Sequence, residues 1–271
     1  MKDDIHKLTE LMKLQHFLND EKEEFSFLQQ LEEEQITRLR IRITEAIQME
    51  QSAIWSKIAK VTTFMPNFVN AKVAETVLDP MITANISYHV SVKDAIGIIK
   101  YLSVSFMAKT AEHLIPERSV ELLNALPMDL LKKLVTQLLK TKSYFTLAGF
   151  VDVTDKRKVL ELSNYIPKEE DLLQISHYVN NKNYLADLVE GFSDAKLKTL
   201  IQKSVAINLH DEIIIITTCL NDKQLNRISD ILIELPLSTL DKLLQKSIEL
   251  KLDDQLKVVK ETLLKQLNIK V

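Results

Sequence analysis

Apolar positions recur along this chain at spacings of three and four, the period of an α-helix with one buried face. Leu8, Leu11, Met12 and Leu14 open the pattern, and Phe17 and Leu18 continue it. The acidic stretch from Asp20 to Glu34 still carries Phe25, Phe27, Leu28 and Leu31, so it is expected to be helical rather than a free tail. Ile36, Leu39, Ile43, Ile47, Ile54 and Ile58 then fall at steps of three, four and seven. That spacing predicts one long amphipathic helix with Arg38, Arg40 and Arg42 near its start. Three uses of its stripe stay open: packing on the body of the protein, self-association as a coiled coil, and contact with a membrane surface. Residues 1–64 are therefore set apart as an N-terminal helical segment, followed by a second domain over 65–271.

The second domain shows an internal period. Four segments align, starting at Glu117, Asp155, Asp194 and Asp222, so the starts lie 38, 39 and 28 residues apart. Each opens on an acidic residue, continues as a short helix, turns, and starts a second helix. Pro127, Pro167 and Pro236 stand at three of the turns, and proline suits the first turn of the second helix, where its missing N–H is not needed. A further echo pairs Tyr144 with Tyr184 and sets Gly149 near Gly191 in register. Ser91 with Asp94, and Ser238 with Asp241, place a hydroxyl before a helix and a carboxylate three residues on; Asp79-Pro80 reads as a cap followed by the first helical residue. The β-branched run Ile213–Ile216 has no partner strand in sight and is assigned to a buried helix. A helix pair of this length cannot bury its own stripe and must stack on its neighbours.

Composition sharpens the fold class. Only 3 Gly and 6 Pro are present, too few for the tight turns of a sandwich, a barrel or a doubly wound sheet. Leu, Lys, Glu and Gln dominate, and these lose little rotamer freedom in helices. The formal charge of -3 gives no global basic field for nucleic acid. One cysteine, Cys219, excludes an internal disulfide framework and suits a reducing compartment. The charged start MKDDIHKLTE lacks the apolar core of a signal peptide, and no window resembles a membrane span. A cytoplasmic location is expected.

At Leu123-Asn124-Ala125-Leu126-Pro127 the chain resembles the superhelical N-terminal domain of the MgtE magnesium transporters and the middle domain of flagellar motor-switch proteins. Both families stack short helix pairs through a Leu-x-x-Leu-Pro junction. The resemblance covers residues 70 to 265. It implies an all-α, right-handed α-solenoid of stacked helix pairs, HEAT-like, with a regulatory or scaffolding role. The transporters' nucleotide-sensing module and pore and the charged C-terminal domain of the switch proteins are not expected here, and no position matches the transporters' acidic magnesium sites.

Catalytic chemistry finds no foothold in the pattern. Walker, GxGxxG, HExxH, GxSxG and CxxC motifs are all missing, and Gly97, Gly149 and Gly191 lie too far apart to build a phosphate loop. Cys219 sits in an apolar run and reads as a buried, inert thiol. Among His6, His16, His89, His113, His177 and His210, none pairs with another at the spacing that puts two ligands on one helix face. Glu169-Glu170 and Asp253-Asp254 read as helix-start or surface charge. Neither enzyme activity, a cofactor nor a metal is expected. Phe145, Phe150, Tyr165, Tyr178, Tyr184 and Phe192 cluster in the middle repeats, as core or as an exposed aromatic surface. Lys132, Lys133, Lys140, Lys142, Lys156, Arg157 and Lys158 make the same region locally positive, as a solvated face or a surface for an acidic partner or anionic lipid. Together with Tyr144 and Tyr184, these basic residues are the candidate partner-binding set. The expected function is a non-enzymatic scaffold or regulatory protein that binds another protein, with peripheral membrane contact and homodimerisation through the N-terminal helix left open. The alternative is a carrier holding a lipid or other apolar molecule between helices.

Overall fold

The computed structural model describes residues 26–49, 52–252 and 257–266, together with Lys7, Glu10, Leu11, Leu14 and Gln15. Among the described residues there are seventeen α-helices and no strand, so the chain is all-α. Contacts divide it into two compact units, Met1–Asp155 and Lys156–Val271. The cut at 64/65 drawn from the sequence falls inside the first. Leu8, Met12, Phe17, Leu18, Phe25 and the acidic residues 20–24 lie outside the described residues, as do His6, His16, Asp253 and Asp254.

The first unit holds α1 (Glu33–Met49), α2 (Ser52–Thr62), α3 (Asn67–Thr76), α4 (Pro80–Ser87), α5 (Val92–Ile99), α6 (Val104–Glu112), α7 (Val120–Ala125), α8 (Met128–Lys140) and α9 (Tyr144–Val153). The single helix expected over Ile36–Ile58 is described as α1 and α2, with residues 50–51 outside the description. Leu11, Leu14 and Leu28 cover α1 at the buried Ile36, with Leu39 and Ile43 packed against the same cluster. Arg40 donates from Nε to Glu10 Oε2 at 3.0 Å, a pair largely withdrawn from water. Beyond this N-terminal layer the helices from α2 to α8 pack mainly on the helix two places along the chain, while α9 packs on α8. The series α2, α4, α6, α8 makes one row, and α3, α5, α7 make the other.

The second unit repeats the scheme with α10 (Lys156–Tyr165), α11 (Glu169–Tyr178), α12 (Lys182–Val189), α13 (Asp194–Ala206), α14 (His210–Thr217), α15 (Asp222–Ile233), α16 (Leu237–Glu249) and α17 (Lys257–Gln266). Here α11, α13, α15 and α17 form one row and α12, α14 and α16 the other. The β-branched run at 213–216 is helical, as part of α14, with Ile214 and Ile215 buried.

Local chemistry explains the boundaries. Asp79 caps α4 by accepting from the N–H groups of Met81 and Ile82, with Pro80 as the first helical residue. Ser91 caps α5 through the Asp94 N–H and also donates to Asp94 Oδ2 at 2.6 Å. Two junction expectations need correction. Pro127 and Pro236 occupy the N-cap itself rather than the first helical position, at φ -59 with extended ψ. A cap residue needs that extended geometry and makes no use of its own N–H, and the Pro127 carbonyl accepts from Leu130 and Leu131. Consequently Ser238 lies inside the first turn of α16 and supplies no cap.

Side chains tie neighbouring helix pairs at a regular sequence distance. In the first unit, Ser103 N–H donates to Glu75 (separation 28), Ile115 N–H to the Tyr88 hydroxyl (27) and Asp155 N–H to Asn124 Oδ1 (31). In the second, Lys196 reaches the Ser163 carbonyl (33), Lys203 reaches Glu170 (33) and Gln224 reaches the Ala186 carbonyl (38). The glycines obey the same spacing. A Cβ on Gly97, Gly149 or Gly191 would meet Asn67, Pro116 or Leu160, each about one helix pair earlier. Only at Gly149 is the obstacle a rigid ring: Pro116 Cγ would stand 2.7 Å away. Gly149→Ala is therefore expected to destabilise the protein by about 1–3 kcal/mol through overpacking, measured as a shift in denaturant midpoint; an unchanged midpoint would refute that contact.

Candidate functional site

The nine residues singled out in the sequence divide between the two units. In the first, α8 buries Leu131, Leu134, Val135 and Leu138 and turns Lys133 and Lys140 to solvent, with Lys132 half-buried at the margin. Lys133 and Lys140 are seven residues apart and so share a face. Lys142 is exposed just beyond α8, and Tyr144, the first residue of α9, is half-buried. In the second unit, Lys156, Arg157 and Lys158 occupy the first turn of α10, which has no acidic residue there. Cations in that position oppose the helix dipole by a few tenths of a kcal/mol each. Lys156 recovers part of this through Asp187, 3.5 Å away across an exposed pair. Tyr184 is half-buried on α12, whose Asn181 cap accepts from the Tyr184 N–H. Of the aromatic cluster, Phe150 is buried, Tyr165 is exposed, and Phe145, Tyr178, Tyr184 and Phe192 are intermediate.

Lys142 has a backbone role as well as a charge. Its φ of 56 is left-handed. Its N–H reaches the Leu139 carbonyl while Ser143 N–H reaches Leu138, the paired bonds of a Schellman cap. Asn208 and Lys251 close α13 and α16 in the same conformation. A side chain in that region costs about 1–2 kcal/mol relative to glycine.

The sequence reading missed a buried polar cluster in the second unit. Lys182, at the start of α12, is 5% exposed, as is Glu212 in the first turn of α14. Lys182 Nζ donates to Glu212 Oε2 at 2.7 Å and to the Ser176 carbonyl at 2.7 Å, with the His177 carbonyl at 3.3 Å. The other Glu212 oxygen lies 2.8 Å from His177 Nδ1, and the His177 ring meets Tyr178 edge-on. The ammonium thus neutralises the carbonyl end of α11 while Glu212 faces the positive start of α14, a favourable placement for both charges. Lys182 and Glu212 are 30 residues apart, so no local motif announces them.

This arrangement is a clamp joining three helix ends. A carboxylate on Nδ1 can orient an imidazole for proton transfer. A cavity of about 30 Å³ elsewhere in the second unit is lined by Ile201, Ile213, Ile214, Ile228, Leu232 and Leu243, among others. That volume holds a couple of waters, and its mostly aliphatic wall is interrupted by Thr217, Ser247 and Lys260. Burial pushes the imidazoles of His89 and His210 below the ordinary histidine value, with Arg118 adding to the effect at His89. Cys219, expected to be buried, is half-buried, its Sγ 3.9 Å from Thr218 Oγ1. Among the described residues no three His, Cys, Asp or Glu side chains gather as metal ligands, and no helix is long and apolar enough to cross a membrane. No family model, curated protein or solved structure matches the chain.

Removing one partner of the buried pair should strand the other. Glu212→Ala is expected to cost about 3–5 kcal/mol in equilibrium unfolding, and the double replacement Lys182→Met with Glu212→Leu to recover most of it. An equal loss in the double variant would show that packing, not charge pairing, governs this corner. Lys142→Gly should raise stability by about 1 kcal/mol, seen as a higher thermal midpoint.

Proposed function

We propose that this chain is a non-enzymatic helical-repeat protein, a HEAT-like right-handed superhelix that binds another protein as a scaffold or regulator. The observation that carries the reading is the row-on-row packing of helices on those two places away, repeated within both units and tied at a sequence separation of about thirty residues. Stacked pairs of this kind expose long surfaces assembled from one helix per repeat, the feature by which repeat proteins hold partners. Such packing is also what the resemblance to the MgtE N-terminal domain and the motor-switch middle domain implies, and those families support a regulatory role by analogy of architecture.

Partner-binding residues are assigned in each unit by itself: Lys132, Lys133, Lys140, Lys142 and Tyr144 in the first, and Lys156, Arg157, Lys158 and Tyr184 in the second. The basic first turn of α10 supports this, since three successive cations stand there against the local helix dipole with no acidic residue in the same turn. An acidic protein segment suits such a surface. The reading places the protein in the cytoplasm. A lipid carrier is the alternative, and the cavity of about 30 Å³ speaks against it, because ligand pockets run to hundreds of Å³.

Full-length protein carrying Lys132→Glu, Lys133→Glu and Lys140→Glu, compared with wild type in crosslinked pull-downs, tests the assignment. A partner retained by wild type and lost by the triple variant supports it. If no partner recurs and native mass spectrometry instead shows a co-purified lipid, the carrier reading replaces it.

A further inference from the structure

The covering of the N-terminal stripe stops partway along. On α1 the apolar face is closed by Leu11, Leu14 and Leu28. On α2 an apolar face carries Ile54, Ile58 and Val61, at positions i, i+4 and i+7, and Ile54 and Val61 are both more than half exposed. The line continues into the turn between α2 and α3, where Phe64 is 88% exposed, and onto α3 at Phe68, 59% exposed. Tyr101, beyond the end of α5, meets Phe68 edge-on at 6.5 Å and is 60% exposed. Five large apolar side chains of the first unit, on α2, in the turn after it, on α3 and just beyond α5, therefore face water, where soluble monomers show such residues singly.

The stretch of chain that carries most of them is basic. From residue 51 to 74 the chain carries Lys57, Lys60 and Lys72 and no carboxylate. All three lysines are exposed, as is Lys100 beside Tyr101. Three described carboxylates that follow in sequence are engaged within the fold. Glu75 accepts from the Ser103 backbone N–H, and bonds from Ser103 hold its carboxyl below the usual range. Asp79 caps α4, and Asp94 takes the Ser91 hydroxyl.

We propose that the α2–α3 hairpin docks this protein on an anionic phospholipid surface, with Phe64 and Phe68 entering the headgroup boundary and the lysines lying among the phosphates. Shape selects the lipid over a peptide partner. The most exposed aromatic stands at the tip of a turn, a convex wedge, whereas a peptide helix needs a groove to lie in. Charge selects an anionic bilayer over a neutral one. This site goes beyond the protein-binding role proposed above and rests on different residues, so either can fail alone.

The hairpin carries its own reporter. Trp55, the one tryptophan of the chain, is half-buried in α2 beside Ile54. Full-length protein is mixed with vesicles of phosphatidylcholine alone or with phosphatidylserine, following Trp55 emission and co-sedimentation. The expected result is a blue shift and pelleting with phosphatidylserine only, weakened by salt. Phe64→Ser should lower partitioning about tenfold, and Lys57→Ala with Lys60→Ala about fivefold per lysine. Circular dichroism checks that both variants keep their helix content, as the exposure of these side chains requires. Absence of wild-type binding to phosphatidylserine vesicles would overturn the proposal. So would binding that neither variant alters, or a Phe64-dependent dimer in light scattering in place of vesicle binding.

Discussion

Short helices govern this structure. Most are 8 to 13 residues long and α7 has only 6, lengths at which an isolated helix is marginal in water. None can cover its own apolar stripe, so each depends on helices before and after it in the chain. The rows α2–α4–α6–α8 and α11–α13–α15–α17 are the outcome. Leucines such as Leu138 on α8 and Leu173 on α11 are almost wholly buried along them, as are Leu123 on α7 and Leu240 on α16. Each is worth about 1.5–3 kcal/mol when removed from water.

The same shortness multiplies helix ends, and every end leaves backbone groups to satisfy. Some are met locally, by Asp79, Ser91, Ser103 and Ser193 at helix starts and by left-handed residues at the ends of α8, α13 and α16. Others are met by the next helix pair. Lys196 reaches the Ser163 carbonyl, Arg227 the carbonyls of Val189 and Phe192, and Asn124 that of Val153. Long polar side chains thus do double duty, closing a helix end and setting the spacing between pairs. The Lys182–Glu212–His177 clamp is the most buried example, holding the ends of three helices at once.

Two surfaces stand apart from these requirements. The basic first turn of α10 and the exposed lysines of α8 serve no packing end, and the apolar tip of the α2–α3 hairpin leaves its side chains in water. In each case a local preference is broken, by cations at a helix start or by large apolar side chains in water, which is where function is sought. A cavity of about 30 Å³ behind a mostly aliphatic wall offers no comparable reason for attention.

What could be read from the residues alone follows from range. Helical periodicity, the scarcity of glycine, and caps such as Asp79-Pro80 and Ser91 with Asp94 act within a few residues, so they predict an all-α chain and several of its boundaries. The helical state of Ile213–Ile216 followed from the same local register. Coverage is different, because it depends on neighbours distant in sequence. Nothing in the spacing of Ile36 to Ile58 says that Leu11, Leu14 and Leu28 close the first part of that stripe and leave Ile54 open. Lys182 looks like an ordinary surface lysine until Glu212, 30 residues on, is brought 2.7 Å from its ammonium. Local sequence determined which segments would be helices; burial, pairing and exposure were decided only by which helix came to lie against which.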